Sequence, residues 1–229
     1  MIAERVAAVR ERIARAASRA GRDASGVTLV AVSKTHPPEA VREAFAAGVR
    51  DFGENRVQEA EPKIAALADV RAALRWHLVG HLQGNKARKA AALFYRIHSL
   101  DDVLLARRLE HAGAESGAAV RALVQVDLAG EETKFGLDEE HLFPMLFELR
   151  GFKSLRVEGL MILPPYDEDA ERVRPLFRRL RELRDAALEK NLMLGGELSM
   201  GMSHDLEVAV EEGATLVRVG TAIFGERLR

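Results

Sequence analysis

Two rhythms of apolar and polar positions organise this chain. At its start, Ile2, Val6, Val9, Ile13 and Ala17 recur at spacings of three and four, which draws one apolar stripe down a helix. Gly21 follows and is expected to end it. Beyond it, short apolar runs appear at 29–33, 50–53, 76–80, 96–99, 122–127, 157–163, 197–200 and 217–220. Each has the length of a strand. Helical patterns lie between them, at 38–47, 57–68, 86–92, 102–115, 139–149, 170–190 and 204–212. Pro175, early in the 170–190 stretch, is expected to mark the true start of that helix, since proline suits a first turn. Pro37-Pro38 and Pro164-Pro165 fall just after strands, where loops belong.

Strands that alternate with helices imply a parallel α/β sheet. An open doubly wound sheet is the main rival, but eight units favour closure into a (β/α)8 TIM barrel. No linker rich in Pro, Gly or Ser divides the chain, so 1–229 reads as a single barrel domain, with the 1–21 helix as an extra element packed on it.

Composition narrows the partners. The 229 residues are 48% hydrophobic, enough to bury one sizeable core. The net charge of −1 draws the chain to neither nucleic acid nor anionic lipid. The basic runs Lys86-Ala87-Arg88-Lys89 and Arg178-Arg179-Leu180-Arg181 read as solvated helix faces. With no cysteine there is no disulfide, thiolate metal site or cysteine nucleophile. No set of His and carboxylate residues has metal spacing. Glu4, Arg5, Arg10, Glu11 and Arg12 leave no apolar leader, and no run is long enough to span a membrane, so a cytoplasmic protein is expected.

In a closed barrel the chemistry gathers at the C-terminal ends of the strands. Lys34 closes the first strand and shares parity with Val30 and Val32. A lysine there is partly desolvated, which favours the neutral amine that attacks an aldehyde; the bland alternative is an exposed lysine where a strand stops. The seventh strand runs into Ser199-Met200-Gly201-Met202-Ser203-His204-Asp205, where Ser203 suits an N-cap. The eighth ends in Arg218-Val219-Gly220-Thr221. Loops after these two strands commonly bind phosphate in this fold, and Gly201 and Gly220 let backbone come close to it. Arg218 shares a face with Leu216 and Gly220 inside an apolar strand, so it needs a partner. That partner is either a carboxylate such as Glu54 or Asp127, or a ligand acceptor such as a ring nitrogen. A lysine, a phosphate cradle and an arginine on one rim suit pyridoxal 5'-phosphate (PLP). His77 reads as a hydrogen-bonded core histidine, His81 as a residue able to reach the rim, and Lys86 and Lys134 as the competing amines. Ser199 and Ser203 lack the Gly-x-Ser-x-Gly elbow of a hydrolytic nucleophile.

The chain also resembles the pyridoxal phosphate homeostasis protein family, single-barrel relatives of the PLP-binding domain of alanine racemase. The resemblance rests on Ala31-Val32-Ser33-Lys34-Thr35, Phe52-Gly53-Glu54-Asn55 with Gln58-Glu59, and Trp76-His77-Leu78-Val79-Gly80-His81-Leu82-Gln83 with Asn85-Lys86. Lys134-Phe135-Gly136, Gly159-Leu160-Met161 and Ser199-Met200-Gly201-Met202-Ser203 with Asp205 continue it, and Val217-Arg218-Val219-Gly220-Thr221-Ala222-Ile223-Phe224-Gly225 is the most distinctive. It implies a Schiff base on Lys34, with Ser199, Ser203, Gly220 and Thr221 around the phosphate. It also implies Arg218 facing the pyridine nitrogen, and Asn55 and Met161 lining the ring. Members of the family are thought to bind and buffer PLP and to support vitamin B6 and amino-acid balance, without settled catalysis. PLP-dependent apo-enzymes are the partners this suggests, and a monomer is the expected state. The alternative is a racemase-like enzyme. That activity needs an opposing base, which alanine racemase takes from a further domain. This chain ends after the barrel, so no such domain is expected. Tyr95 begins the fourth strand at the wrong end, which leaves Tyr166 as the residue that could serve.

Overall fold

The apolar stripe at the start of the chain forms α1 (Ile2–Arg19), which buries Val6, Val9, Ile13, Ala16 and Ala17. The computed structural model describes residues 1–130 and 135–226. Gly21, with φ +65°, takes up the left-handed turn just past the helix, a conformation open to glycine for want of a Cβ.

All eight expected strands form: β1 (Thr28–Val32), β2 (Asp51–Glu54), β3 (Arg75–Leu78), β4 (Arg96–Leu100), β5 (Val120–Asp127), β7 (Leu155–Met161), β8 (Glu197–Ser199) and β9 (Leu216–Val219). A two-residue strand, β6 (Leu137–Asp138), adds itself to the end of β5. The eight are parallel and pair in chain order, and β9 returns to pair with β1. The sheet is therefore closed into a (β/α)8 barrel, which sets aside the open-sheet rival and pairs each of the eight strands on both sides.

Around it lie α2 (Pro38–Ala46), α3 (Val57–Ala66), α4 (Ala87–Leu93), α5 (Val103–Ser116), α6 (Glu139–Leu149), α7 (Arg174–Glu189) and α8 (Leu206–Glu211), with a four-residue α9 (Thr221–Phe224) after β9. α7 starts at Arg174 with Pro175 in its first turn, and 170–173 form a short 3-10 turn before it. α1 packs on α2, α8 and α9. The basic run on α7 is ion-paired, with Arg178 and Arg181 on Glu212, and Arg179 on Glu139 and Glu182.

Strand alternation sorts the core into two parts. Ala31, Phe52, Trp76, Leu78, Val217 and Val219 face the helices and join the large outer core. Val30, Leu123, Met161 and Leu216 form a small apolar cluster within the barrel. At the end where the strands begin, opposite Lys34, Arg96 is held by Glu158 (2.7 Å) and Glu197 (3.1 Å). Among the described residues, no helix is long and apolar enough to cross a membrane.

Candidate functional site

Lys34 lies two residues past β1, half-buried, in a turn that the surrounding structure holds firmly. Ser33 N donates to Gly53 O (2.9 Å), and Ser33 Oγ donates to Glu54 Oε1 (2.7 Å). Behind the turn, Lys63 Nζ donates to Ser33 O (2.7 Å) and to Glu54 Oε1 (2.5 Å). This ion pair is buried, with side-chain exposures of 8% and 0%. Burial pushes the Glu54 carboxyl up, against the opposing pull of Lys63. Thr35 takes a left-handed φ of +66°, which lets the chain reverse, and His36 N then closes the turn on Ser33 O (3.1 Å). The His36 ring stacks on Phe224 of α9, 5.1 Å between centroids. So the lysine turn is fixed to β2, α3 and α9 at once.

The loops after β8 and β9 meet beside it. Gly201 has φ +90°, and a Cβ there would stand 2.6 Å from Ala209 Cβ. The N-cap position of α8 belongs to Asp205 and not, as the sequence suggests, to Ser203. Asp205 Oδ1 accepts from Met202 N (2.6 Å), which folds the loop back on itself two residues later than expected. Ser203 is thereby released to the neighbouring loop, where its Oγ accepts from Ala222 N (3.3 Å) in the first turn of α9. From the other side, Arg12 of α1 donates to Ser203 O (3.0 Å) and grips both carboxylate oxygens of Glu207 (2.6 and 2.7 Å). Gly220 lies against β1, since a Cβ on it would come within 3.3 Å of Val32 O. Ser203, Gly220 and Thr221 thus gather next to the strand that leads to Lys34.

Arg218 points into the barrel and is 3% exposed. Neither carboxylate that the sequence offers as its partner reaches it. Glu54 faces outward to Lys63, and Asp127 Oδ1 accepts from Ala129 N and Gly130 N (2.9 and 3.1 Å). Instead Arg218 NH1 donates to Ser199 Oγ (2.7 Å) and NH2 to Ile162 O (2.8 Å). Among the described residues no carboxylate is hydrogen-bonded to it. Burial pulls the guanidinium down to about 10, with the charge of Asp205 resisting. It stays a cation at neutral pH.

Ser199 is fully buried, and its oxygen contacts His98 Nδ1 (2.8 Å) as well as Arg218. His98 Nε2 lies 2.9 Å from His77 Nδ1, and His77 Nε2 lies 2.9 Å from Asp51 Oδ1. Arg75 NH2 donates to the second oxygen of Asp51 (2.7 Å). Desolvation lowers both histidines, His98 strongly, so both are neutral at pH 7. Burial works against ionising Asp51, but hydrogen bonds from His77 and Arg75 outweigh it and hold the carboxyl low.

The other expected residues fall around this centre. Met161 is fully buried in the inner cluster beside Val30 and Leu216. Asn55 follows β2, with its backbone against Gly80 so closely that a Cβ on Gly80 would stand 2.4 Å from Asn55 O. Lys86 lines a different cavity, about 460 Å3, between the loops after β2 and β3, together with Arg56, Gln58, Glu59 and His81. His81 meets Asp101 (3.2 Å) at the rim and stacks on Phe135 at 3.7 Å. Tyr166 is 77% exposed, its ring beside His204. Lys134 lies outside the described residues. The sequence reading missed Lys63, Arg12, His98 and Asp51. His98 left one signal: it alternates with Arg96 as a polar residue in a strand buried at every position.

Residues 5–228 match the family described as alanine racemase, N-terminal domain. The pyridoxal phosphate homeostasis protein of Aquifex aeolicus (strain VF5) is 45% identical over 224 residues, 98% of this chain and 97% of that protein. That of Pseudomonas aeruginosa is 46% identical over 226 residues, 99% of this chain and 96% of its own length. Among solved structures, PipY of Synechococcus elongatus PCC7942 with PLP bound is similar at 42% identity and a TM-score of 0.88, covering 98% of this chain and all of that one. Alanine racemase from Streptomyces coelicolor A3(2) shares the fold, with a TM-score of 0.71 at 21% identity, over 96% of this chain and 58% of the racemase.

Proposed function

The chain belongs to the pyridoxal phosphate homeostasis protein family, built on the alanine racemase N-terminal domain, and from that premise we propose that it binds PLP through a Schiff base on Lys34 and buffers or carries it without turning over a substrate. The observation that carries this reading is Arg218. A buried guanidinium is stable only with an electron-rich partner, and its contacts here are a hydroxyl and a carbonyl that are both neutral. A ligand whose ring nitrogen accepts a hydrogen bond, and whose phosphate adds negative charge nearby, supplies what the protein lacks.

The chain's own residues divide the work. Lys34 offers the amine on an anchored turn. Ser203, Gly220 and Thr221 take the phosphate where the loops after β8 and β9 converge, and Gly220 has no side chain to fill the space beside Val32 O. Met161, buried in the inner cluster, and Asn55, just past β2, would line the ring. Ser199, grouped with the phosphate by the resemblance, is assigned instead to Arg218, because its hydroxyl is buried and already engaged. PLP held this way supplies an electrophilic carbon and an electron-withdrawing ring. Arg218 weakens that ring as an electron sink, since a guanidinium donates a hydrogen bond without giving up its proton at neutral pH.

Two observations favour carriage over catalysis. Tyr166, the candidate opposing base, is largely exposed and packed beside His204. The relatives at 45% and 46% identity are named for homeostasis and not for a reaction. PLP-dependent apo-enzymes are the recipients this role would serve. Borohydride reduction of the PLP-loaded protein, followed by peptide mapping, tests the site. The label is expected on Lys34; a label mainly on Lys86 or Lys134 overturns the assignment.

A further inference from the structure

The polar groups inside the barrel form one connected chain. It begins at Arg75, half-exposed where the strands begin, and passes through Asp51, His77, His98 and Ser199 to Arg218. It crosses from β2, β3 and β4 to β8 and β9. Every atom in it has its partner, and the direction of each hydrogen bond follows from the one before. A carboxylate only accepts, so the proton of His77 sits on Nε2. A neutral imidazole has one N–H, so His77 Nδ1 accepts. His98 must then donate from Nε2, which leaves its Nδ1 as an acceptor. Ser199 donates its hydroxyl proton there and so presents a lone pair to Arg218 NH1.

The reverse arrangement fails at both ends. It would aim the Ser199 hydroxyl proton at an N–H of Arg218, and it would leave His77 facing Asp51 with a bare nitrogen against a carboxylate. The guanidinia of Arg218 and Arg96 both disfavour a proton on His98, and Arg96 and Arg75 disfavour one on His77, while Asp51 alone pulls the other way on His77. Both rings stay neutral, which the one-way chain requires.

We propose that Asp51, His77, His98 and Ser199 are positioning residues for Arg218: a one-way hydrogen-bond chain, set by the carboxylate of Asp51 at the start of β2, that keeps an acceptor on NH1 and thereby fixes the donor Arg218 turns towards the pyridine nitrogen of PLP. The inference rests on the PLP reading above. Ile162 O fixes NH2, so the two inner contacts together define the plane of the guanidinium. Without Ser199 in its present orientation the arginine would be buried but not aimed.

Two measurements test this, and the first needs no cofactor. Nitrogen-15 NMR of the histidine-labelled, ligand-free protein at neutral pH should show both His77 and His98 neutral and protonated at Nε2. A proton on Nδ1 of either ring overturns the chain, whatever the protein binds. The second compares PLP with its analogue carrying CH in place of the ring nitrogen. The native protein should prefer PLP. Ser199→Ala should cut that preference about tenfold and Asp51→Asn at least threefold, while Ser199→Thr, which keeps the hydroxyl, should restore it. A merely structural role would weaken both ligands alike; equal weakening, or an unchanged preference in both variants, overturns the proposal. A native protein that binds neither ligand refutes the PLP reading itself, and the histidine spectra then still decide whether the chain exists.

Discussion

Burying a histidine in a neutral form ties unfolding to proton uptake, and two adjoining histidines at the centre of this barrel do so together. Desolvation lowers His77 and His98 below their ordinary value of about 6.5. The unfolded chain therefore takes up protons first as the pH falls. The stability these residues contribute is whole above about pH 7 and is lost as the pH drops from about 6.5 towards their folded values. Asp51, held low, acts in the same direction at more acid pH, and Glu54, held high, acts in the opposite one. The net slope is thus best read against a variant. The thermal midpoint should fall between pH 7.5 and pH 5.5, and His98→Gln should flatten that fall even if its midpoint at pH 7.5 is lower. A slope identical in the variant would mean that another group governs the acid limb. For a domain of this size each kcal/mol moves the midpoint by about 2–4 °C, so a change of one unit in pKa is measurable.

At the scale of elements, α1 braces the site as well as covering the barrel. Its apolar face packs inward, while Arg12 reaches out to Glu207 and to the carbonyl of Ser203. The loop after β8, proposed above to take the phosphate, is thereby pinned from behind as well as by α9. Arg12→Ala should weaken PLP several-fold yet change the affinity for pyridoxal, which has no phosphate, by much less. Equal loss for both vitamers, measured by titration, would assign Arg12 to general stability alone. This element-level support was not legible in the chain, because Arg12 and Ser203 are 191 residues apart. What was legible came from local order. Alternation located all eight strands and put Leu216 with Arg218, and Val30 with Val32, on shared faces; which face is inner came only with the closed sheet. Pro175 marked the start of α7. The errors arose where two local solutions compete: Ser203 and Asp205 both suit an N-cap, and only the packed loop selects Asp205. Four-residue α9 carries too little periodicity to separate from the apolar strand before it. The partners of Arg218 could not be inferred either, since Ser199 and His98 meet across the barrel, 101 residues apart in sequence.

At the scale of the whole molecule, the barrel's two ends differ in kind. The end at which the strands begin carries paired charges around Arg96. The other carries Lys34 on a half-buried turn, and on the proposed reading an incoming amine would reach the cofactor there. Exchange with such an amine needs only access, whereas racemisation needs a second acid–base group held on the opposite side of the substrate. Tyr166 is not held there: it is exposed, and its neighbour His204 is tied to Glu168 O at 3.0 Å. The loaded protein, incubated with alanine, should therefore show at most slow amine exchange. Racemisation at about 1 s⁻¹ or faster, a rate ordinary for enzymes, would reverse the reading, and its loss in Tyr166→Phe would identify the base. Mixed instead with a PLP-dependent apo-enzyme, the protein should pass its cofactor on, because the recipient's lysine is itself an amine able to displace Lys34. Recovery of the recipient's activity, matched by loss of the bound-PLP absorbance of this protein, is the expected result. Retention of PLP in the presence of excess apo-enzyme would exclude carriage and leave storage as the function of the site.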